Sequence, residues 1–255
     1  MDTRFGFCHL SLIPIRTAPS DKSELSTQLI FGQTYELLTR SEDKKWLKVR
    51  IEEDAYEGWL SQSQFYEISS TEAASIKRKT AKILIDTLAW VQHSGFSFPI
   101  PLGAALPWDE KRRFAINQDQ FLLAPRAQIL PPQAARDQIL SRALLYRKSP
   151  YLWGGKSPLG IDCSGFTQMV YKMMGLLLPR DAYQQAEEGE IVKQLGQVQT
   201  GDLAFFQREG RIVHVGLVVA PLDLLQVPGY ESPHGQSFLL FGKMPGHRFA
   251  PALAA

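Results

Sequence analysis

Cys163 stands between Asp162 and Ser164-Gly165, where a glycine-rich stretch (Tyr151-Leu152-Trp153-Gly154-Gly155, then Gly160-Ile161) gives way to a one-sided apolar pattern. Beyond it, apolar residues fall at Phe166, Met169, Val170, Met173 and Met174, the spacing of an amphipathic helix, and Gly175 suits a C-cap. A cysteine in a helix's first turn meets backbone N–H groups without intrahelical acceptors and the positive end of the helix dipole. That setting is expected to lower the thiol pKa and favour the nucleophilic thiolate. A lone cysteine is more often a small buried hydrophobe, but Asp162 and Ser164 are poor company for a core residue. Cys8, in Phe5-Gly6-Phe7-Cys8-His9-Leu10, reads as strand packing, with His9 on the opposite face.

A thiol nucleophile needs a base, and the five histidines are His9, His93, His214, His234 and His247. His214 lies in the β-branched run Arg211–Val219, which reads as a buried strand. Thr200–Phe206 reads as its partner strand, with Arg208-Glu209-Gly210 as the hairpin. A buried imidazole is costly unless its nitrogens are satisfied, so His214 is either a hydrogen-bonded core residue or the base for Cys163.

Strand-like runs at 28–31, 34–38, 46–51 and 58–60 are separated by polar turns such as Ser41-Glu42-Asp43-Lys44, as in a small barrel. A fainter repeat runs from about 70 to 130, with strands expected at 81–85, 98–103 and 113–116. Pro131-Pro132 marks a linker and 133–147 reads helical, with Ile139, Ala143 and Tyr146 along one side. The formal charge of +2 over 255 residues, with dispersed lysines, offers no basic stripe for nucleic acid. No apolar run approaches a bilayer's thickness, and Met1–Gly6 does not read as the start of a signal peptide, so a cytoplasmic location is expected. Two cysteines in such different settings do not suggest a disulfide.

Residues 151–226 resemble the catalytic domain of the NlpC-type papain-like cysteine peptidases that cut bacterial cell-wall peptides. Tyr151, Trp153-Gly154-Gly155, Gly160, Asp162-Cys163-Ser164-Gly165-Phe166, Gly201-Asp202-Leu203 and His214-Val215-Gly216 fall in the family's order. The resemblance implies Cys163 as nucleophile, His214 as base, and a polar third residue, often histidine, about twelve positions beyond the base. That count lands on Gln226, whose amide can accept an imidazole N–H. His234, in a Gly/Pro/Ser-rich loop, is the alternative. Residues 5–68 resemble a bacterial SH3-like domain through Tyr56-Glu57-Gly58-Trp59-Leu60. The expected fold class is α+β: a papain-like cysteine peptidase domain (131–255) preceded by two small SH3-like β-barrels (1–68 and 69–130).

This three-part order is similar to endopeptidases that release L-Ala-γ-D-Glu from cell-wall stem peptides with a free N-terminal L-Ala. The resemblance implies that the first module closes the substrate end of the cleft, with Glu24 as an acidic residue and Tyr56 as a wall. It implies Trp153 as a side wall, Asp181 as the ligand of the substrate amine, and Asp162, Ser164 and Arg180 as further substrate-binding residues. Asp181 also suits a helix N-cap before Tyr183-Gln184-Gln185, and Glu24 and Tyr56 suit a solvated surface. The expected chemistry is a thiolate–imidazolium pair attacking the γ-D-glutamyl carbonyl. Backbone N–H groups near Cys163, with Tyr151 assisting, would hold the oxyanion. No cofactor is required, and no zinc-type spacing is present. The expected partner is a murein stem peptide, acted on by a monomer. The alternatives are a non-catalytic muropeptide-binding protein whose third catalytic residue has decayed, and an amidase or acyltransferase using the same thiol.

Overall fold

The computed structural model describes residues 4–78, 81–132, 136–192, 194–220, 223–226 and 237–243. The chain divides into two compact units, Met1–Pro132 and Gln133–Ala255.

The first unit opens with β1 (Arg4–Phe7), β2 (Leu12–Arg16), β3 (Leu25–Ile30), β4 (Thr34–Arg40), β5 (Trp46–Ile51), β6 (Glu57–Ser61) and β7 (Glu67–Ile68). They form one sheet in the order β3-β2-β6-β5-β4-β1-β7. Alternation turns Ile13 and Ile15 of β2 inward onto Leu29, Leu47, Val49 and Leu60, and Cys8 joins this core as a packing residue. A short helix, α1 (Ser70–Arg78), then begins on a reciprocal cap. The Ser69 N–H donates to Glu72 (2.9 Å) and the Glu72 N–H to Ser69 Oγ (3.2 Å). The segment expected to open the second β repeat at about residue 70 thus begins as a helix.

The second β module supplies β8 (Lys82–Leu84), β9 (Leu88–His93), β10 (Phe96–Pro101), β11 (Ala105–Leu106), β12 (Arg113–Ile116), β13 (Asp119–Leu123) and β14 (Ile129–Leu130). They form two small sheets, β10-β9-β13-β12 and β11-β8-β14. The two modules share an aromatic core. Phe7 stacks on Phe114 at 5.7 Å, and Phe31 meets Phe98, Trp108 and Phe121 at 5.5, 6.4 and 5.4 Å between ring centroids.

The second unit begins with a 3₁₀ turn (Arg136–Gln138) and α2 (Ile139–Leu144). This helix is shorter than the sequence pattern, and 133–135 lie outside the described residues. Next come β15 (Lys156–Ser157), β16 (Gly160–Ile161), α3 (Cys163–Met173), α4 (Ala182–Glu187) and β17 (Glu190–Val192). The unit ends with β18 (Leu203–Arg208), β19 (Arg211–Ala220), β20 (Asp223–Leu225) and β21 (Ser237–Lys243). The sheet order is β17-β21-β18-β19-β20. Every residue of α3 is buried, beyond the one-sided burial its apolar spacing predicts, and the helix packs against β19. Its polar residues survive burial by bonding across the fold. Gln168 Nε2 donates to the Leu178 carbonyl (2.9 Å), Thr167 Oγ1 to Gln185 Oε1 (2.7 Å), and the Tyr171 hydroxyl to the Gly201 carbonyl.

Candidate active site

Asp162 caps α3 and organises everything around it. Its extended backbone (φ −98°, ψ 178°) turns the carboxylate back over the helix, where Oδ1 accepts the Gly165 N–H at 2.7 Å. Oδ2 accepts the Gly154 N–H at 2.8 Å and so ties the glycine-rich loop to the helix start. Gly165 has to be glycine, because a Cβ there would sit 2.4 Å from the Gly155 carbonyl oxygen.

Arg180, eighteen residues on, is only 1% exposed and grips the same carboxylate with two prongs. Nη1 lies 3.0 Å from Oδ1 and Nη2 2.6 Å from Oδ2, while Nη1 also donates to Ser164 Oγ at 2.9 Å. Arg180 is therefore part of the core. Asp162, Ser164 and Arg180 satisfy one another inside the unit and serve to hold the first turn of α3.

The sulfur of Cys163 lies between α3 and β19, with the backbone N–H groups of Ser164 and Val215 directed at it. His214, one residue before Val215 and 1% exposed, places Nε2 3.0 Å from Gln226 Oε1, just past β20. With Nε2–H donating to that amide oxygen, Nδ1 carries the basic lone pair. The fold thus brings His214 and Gln226 together and sets Cys163 against the backbone of the residue after His214, whereas His234 lies outside the described residues.

The electrostatics correct one expectation. Burial, then the adjacent Asp162 carboxylate, push the Cys163 thiol up to about 11, against the pull of the Val215 and Ser164 N–H groups and Arg180. Burial also lowers the His214 pKa, against the opposing influence of Gln226 and Asp162. Both shifts run against a preformed thiolate–imidazolium pair. The residue that caps the helix also brings a negative charge to the sulfur, and with burial it outweighs the first-turn N–H groups.

Trp153 is 58% exposed and adjoins the Gly154 N–H held by Asp162. Asp181 adjoins Arg180, is half-buried, and caps α4 in a reciprocal box with Gln184, whose Oε1 accepts the Asp181 N–H at 3.1 Å. Tyr151 pairs with Ile161 in a parallel bridge just before the cap. Glu24 is exposed and Tyr56 half-buried against the core of the first unit. Sequence reasoning missed Gln185, which is fully buried. Its Nε2 donates to the carbonyls of Ser164 (3.0 Å) and Pro179 (2.9 Å), binding α4 to the nucleophile's turn. Only its place one residue after the capping box hints at this.

Residues 148–237 match the NlpC/P60 family, and residues 15–65 match the bacterial dipeptidyl-peptidase SH3 domain. The second unit carries a cysteine peptidase domain of the NlpC/P60 type. The chain is 29% identical over 245 residues to a gamma-D-glutamyl-L-lysine dipeptidyl-peptidase of Bacillus subtilis, covering 89% of this chain and 76% of that protein. It is 26% identical over 238 residues to the Bacillus cereus protein of the same name, covering 83% of this chain and 70% of that one. A crystal structure of an NlpC/P60 family protein from Bacillus cereus superposes with a TM-score of 0.76 at 21% identity, covering 95% of each chain. The SH3-like and peptidase folds follow, and with them a cell-wall peptidase of NlpC/P60 type.

Proposed function

We propose that this enzyme cleaves the γ-D-glutamyl–diamino acid bond of cell-wall stem peptides that carry a free N-terminal L-Ala. The observation that carries the reading is the likeness, across most of the chain, to two proteins named gamma-D-glutamyl-L-lysine dipeptidyl-peptidase. The site supports it with a half-buried carboxylate at Asp181 and an exposed indole at Trp153, each one residue from a group bound to Asp162. A peptide N-terminus is a cation, and a carboxylate is the group that selects it. Glu24 and Tyr56 are assigned to the same selection on the resemblance alone.

In this reading the Cys163 proton passes to His214 Nδ1 as the sulfur attacks the γ-glutamyl carbonyl, because the resting thiol is neutral. Backbone N–H groups of the first turn of α3, assisted by Tyr151, hold the oxyanion. The imidazolium, steadied by Gln226, protonates the departing amine as the C–N bond breaks. Water then hydrolyses the thioester, and its proton returns through His214 to sulfur. The contact from Gln226 to His214 speaks against an idle third position and so against a non-catalytic binding protein. A requirement for a free amine places the enzyme after peptides have been trimmed from the wall, in cytoplasmic recycling of murein peptides.

The test compares kcat/KM on L-Ala-γ-D-Glu-diaminopimelate with its N-acetylated form, using wild type, Cys163→Ala and Asp181→Ala. We expect no turnover by Cys163→Ala. Acetylation should cost the wild type more than the roughly 1.5–3 kcal/mol of one charged hydrogen bond, since bulk is added where charge is removed. Equal rates on the two peptides would end the free-amine reading and leave the thiol chemistry standing.

A further inference from the structure

Gln185 is an unusual residue to hold a helix in place. The helix α4 is six residues long, too short to persist on its own propensity, and short helices are normally fixed by an apolar face against the fold. Its one buried residue is Gln185, while Tyr183 turns outward at 52% exposure. A buried amide is costly unless its donors and acceptor are met, and a leucine or methionine would fill the space without that cost. Here all are met. Nε2 donates to the Ser164 and Pro179 carbonyls (3.0 and 2.9 Å), and Oε1 accepts the Thr167 hydroxyl (2.7 Å). Apolar contact has no direction and lets two elements slide, whereas bonds diverging from one planar amide fix both distance and orientation.

The groups so joined lie next to the two ends of the cleft chemistry. Ser164 follows the nucleophile and Pro179 stands two residues before Asp181, so one amide nitrogen ties the segment carrying Asp181 to the turn carrying Cys163. Arg180 makes a second tie, from the residue before Asp181 to Asp162 and Ser164, the neighbours of Cys163. The first turn of α3 keeps its own cap, from Asp162 to the Gly165 N–H, without help from Gln185. Asp181 has no such independence, because its box with Gln184 is internal to α4 and moves with it. A peptidase that releases a dipeptide must hold the amine and the scissile carbonyl a fixed number of bonds apart. A misplacement of about 1 Å can cost on the order of a hundredfold in rate.

We propose that Gln185 is a positioning residue that sets the span between Asp181 and the Cys163 sulfur, and so selects the bond one dipeptide away from a free amine. The inference rests on the reading of Asp181 as the ligand of the substrate amine. Gln185 acts through the Ser164 and Pro179 carbonyls and not on the substrate itself.

The test lengthens the substrate by one methylene and leaves its charge alone. It compares kcat/KM on glycyl- and β-alanyl-γ-D-Glu-diaminopimelate for wild type and Gln185→Met, a change of similar volume without the amide. Wild type should prefer the glycyl peptide by about a hundredfold, and in Gln185→Met the preference should fall to about tenfold or less. The variant's loss on the glycyl peptide should appear in KM more than in kcat. Partial unfolding would lower both peptides by one factor and leave the ratio where it was. Should Gln185→Met fail to fold, Thr167→Val removes the hydroxyl that holds the amide oxygen and should lower the ratio roughly threefold. Equal wild-type rates on the two peptides, or an unchanged ratio in a folded variant, would overturn this role while leaving the free-amine reading intact. Equal wild-type rates on free and N-acetylated L-Ala-γ-D-Glu-diaminopimelate would remove the amine ligand itself, and this role with it.

Discussion

Breaking the Arg180–Asp162 pair should loosen the nucleophile's helix. Arg180 is 1% exposed and Asp162 5%, so neither charge can fall back on water. Arg180→Met removes the guanidinium bonds to Asp162 and Ser164 and leaves Asp162 with the Gly154 and Gly165 N–H groups and the Ser164 hydroxyl. Removing one partner of a buried pair costs about 3–5 kcal/mol, because the other charge stays buried. The retained N–H bonds favour the lower figure, about 3 kcal/mol, or on the order of a hundredfold in the opening equilibrium of α3. Hydrogen exchange followed by mass spectrometry should show peptides from 163–173 exchanging faster by that factor, with β5 in the other unit as an unchanged reference. Arg180→Met combined with Asp162→Asn removes both charges and should recover at least half the loss. If the single variant exchanges within threefold of wild type, or the double variant is additive, the pair does not hold the helix.

Burial keeps His214 in its basic neutral form below its ordinary pKa of 6.5, so the acid limb of kcat/KM should fall below that pH. A limb above 6.5 would contradict this assignment. With the Cys163 thiol near 11, its alkylation by iodoacetamide should keep accelerating between about pH 8 and 10 instead of levelling off. Gly216 lies beneath Gln226, and a Cβ there would stand 3.4 Å from Gln226 Cγ, an ordinary contact. Gly216→Ala should therefore keep full activity, while Gly216→Val should displace the amide and lower kcat roughly tenfold with the fold intact, as read by steady-state kinetics and circular dichroism. Gln185→Leu removes three bonds and leaves the Pro179 carbonyl unmet, while the Thr167 hydroxyl and the Ser164 carbonyl keep each other, and urea unfolding should show a loss of about 1–3 kcal/mol in the catalytic unit.

Cys163, His214 and Gln226 were legible in the sequence because each sits in a distinctive local setting: a glycine-flanked helix start, a β-branched run, and a fixed step beyond it. Their electrostatics were not. A helix N-terminus argues locally for an acidic thiol, but burial depends on what packs over the helix, and no local pattern states that. The Arg180 pair failed to show for the same reason, since Pro179-Arg180-Asp181 looks like a polar turn until the chain folds the guanidinium inward. In the β unit, the runs at 28–31, 34–38, 46–51 and 58–60 were legible as strands of the first module, while β2 (Leu12–Arg16) was missed. In the second module β9 and β13 were missed, although the burial of β9 alternates strictly from Leu88 to Gln92. Its exposed side carries Leu88 and Trp90, which blurs the polar half of the pattern.

Phe7 and Phe31 belong by position to the first β module but give their faces to rings of the second. A cut at the apparent joint after residue 68 would expose two large rings at once, each with roughly 150–250 Å² of surface. The severed first module should then self-associate through that patch instead of persisting as a free domain. These β modules are therefore not interchangeable beads. In any rearrangement of such chains, by recombination or by design, the pair has to travel together as one inheritable block.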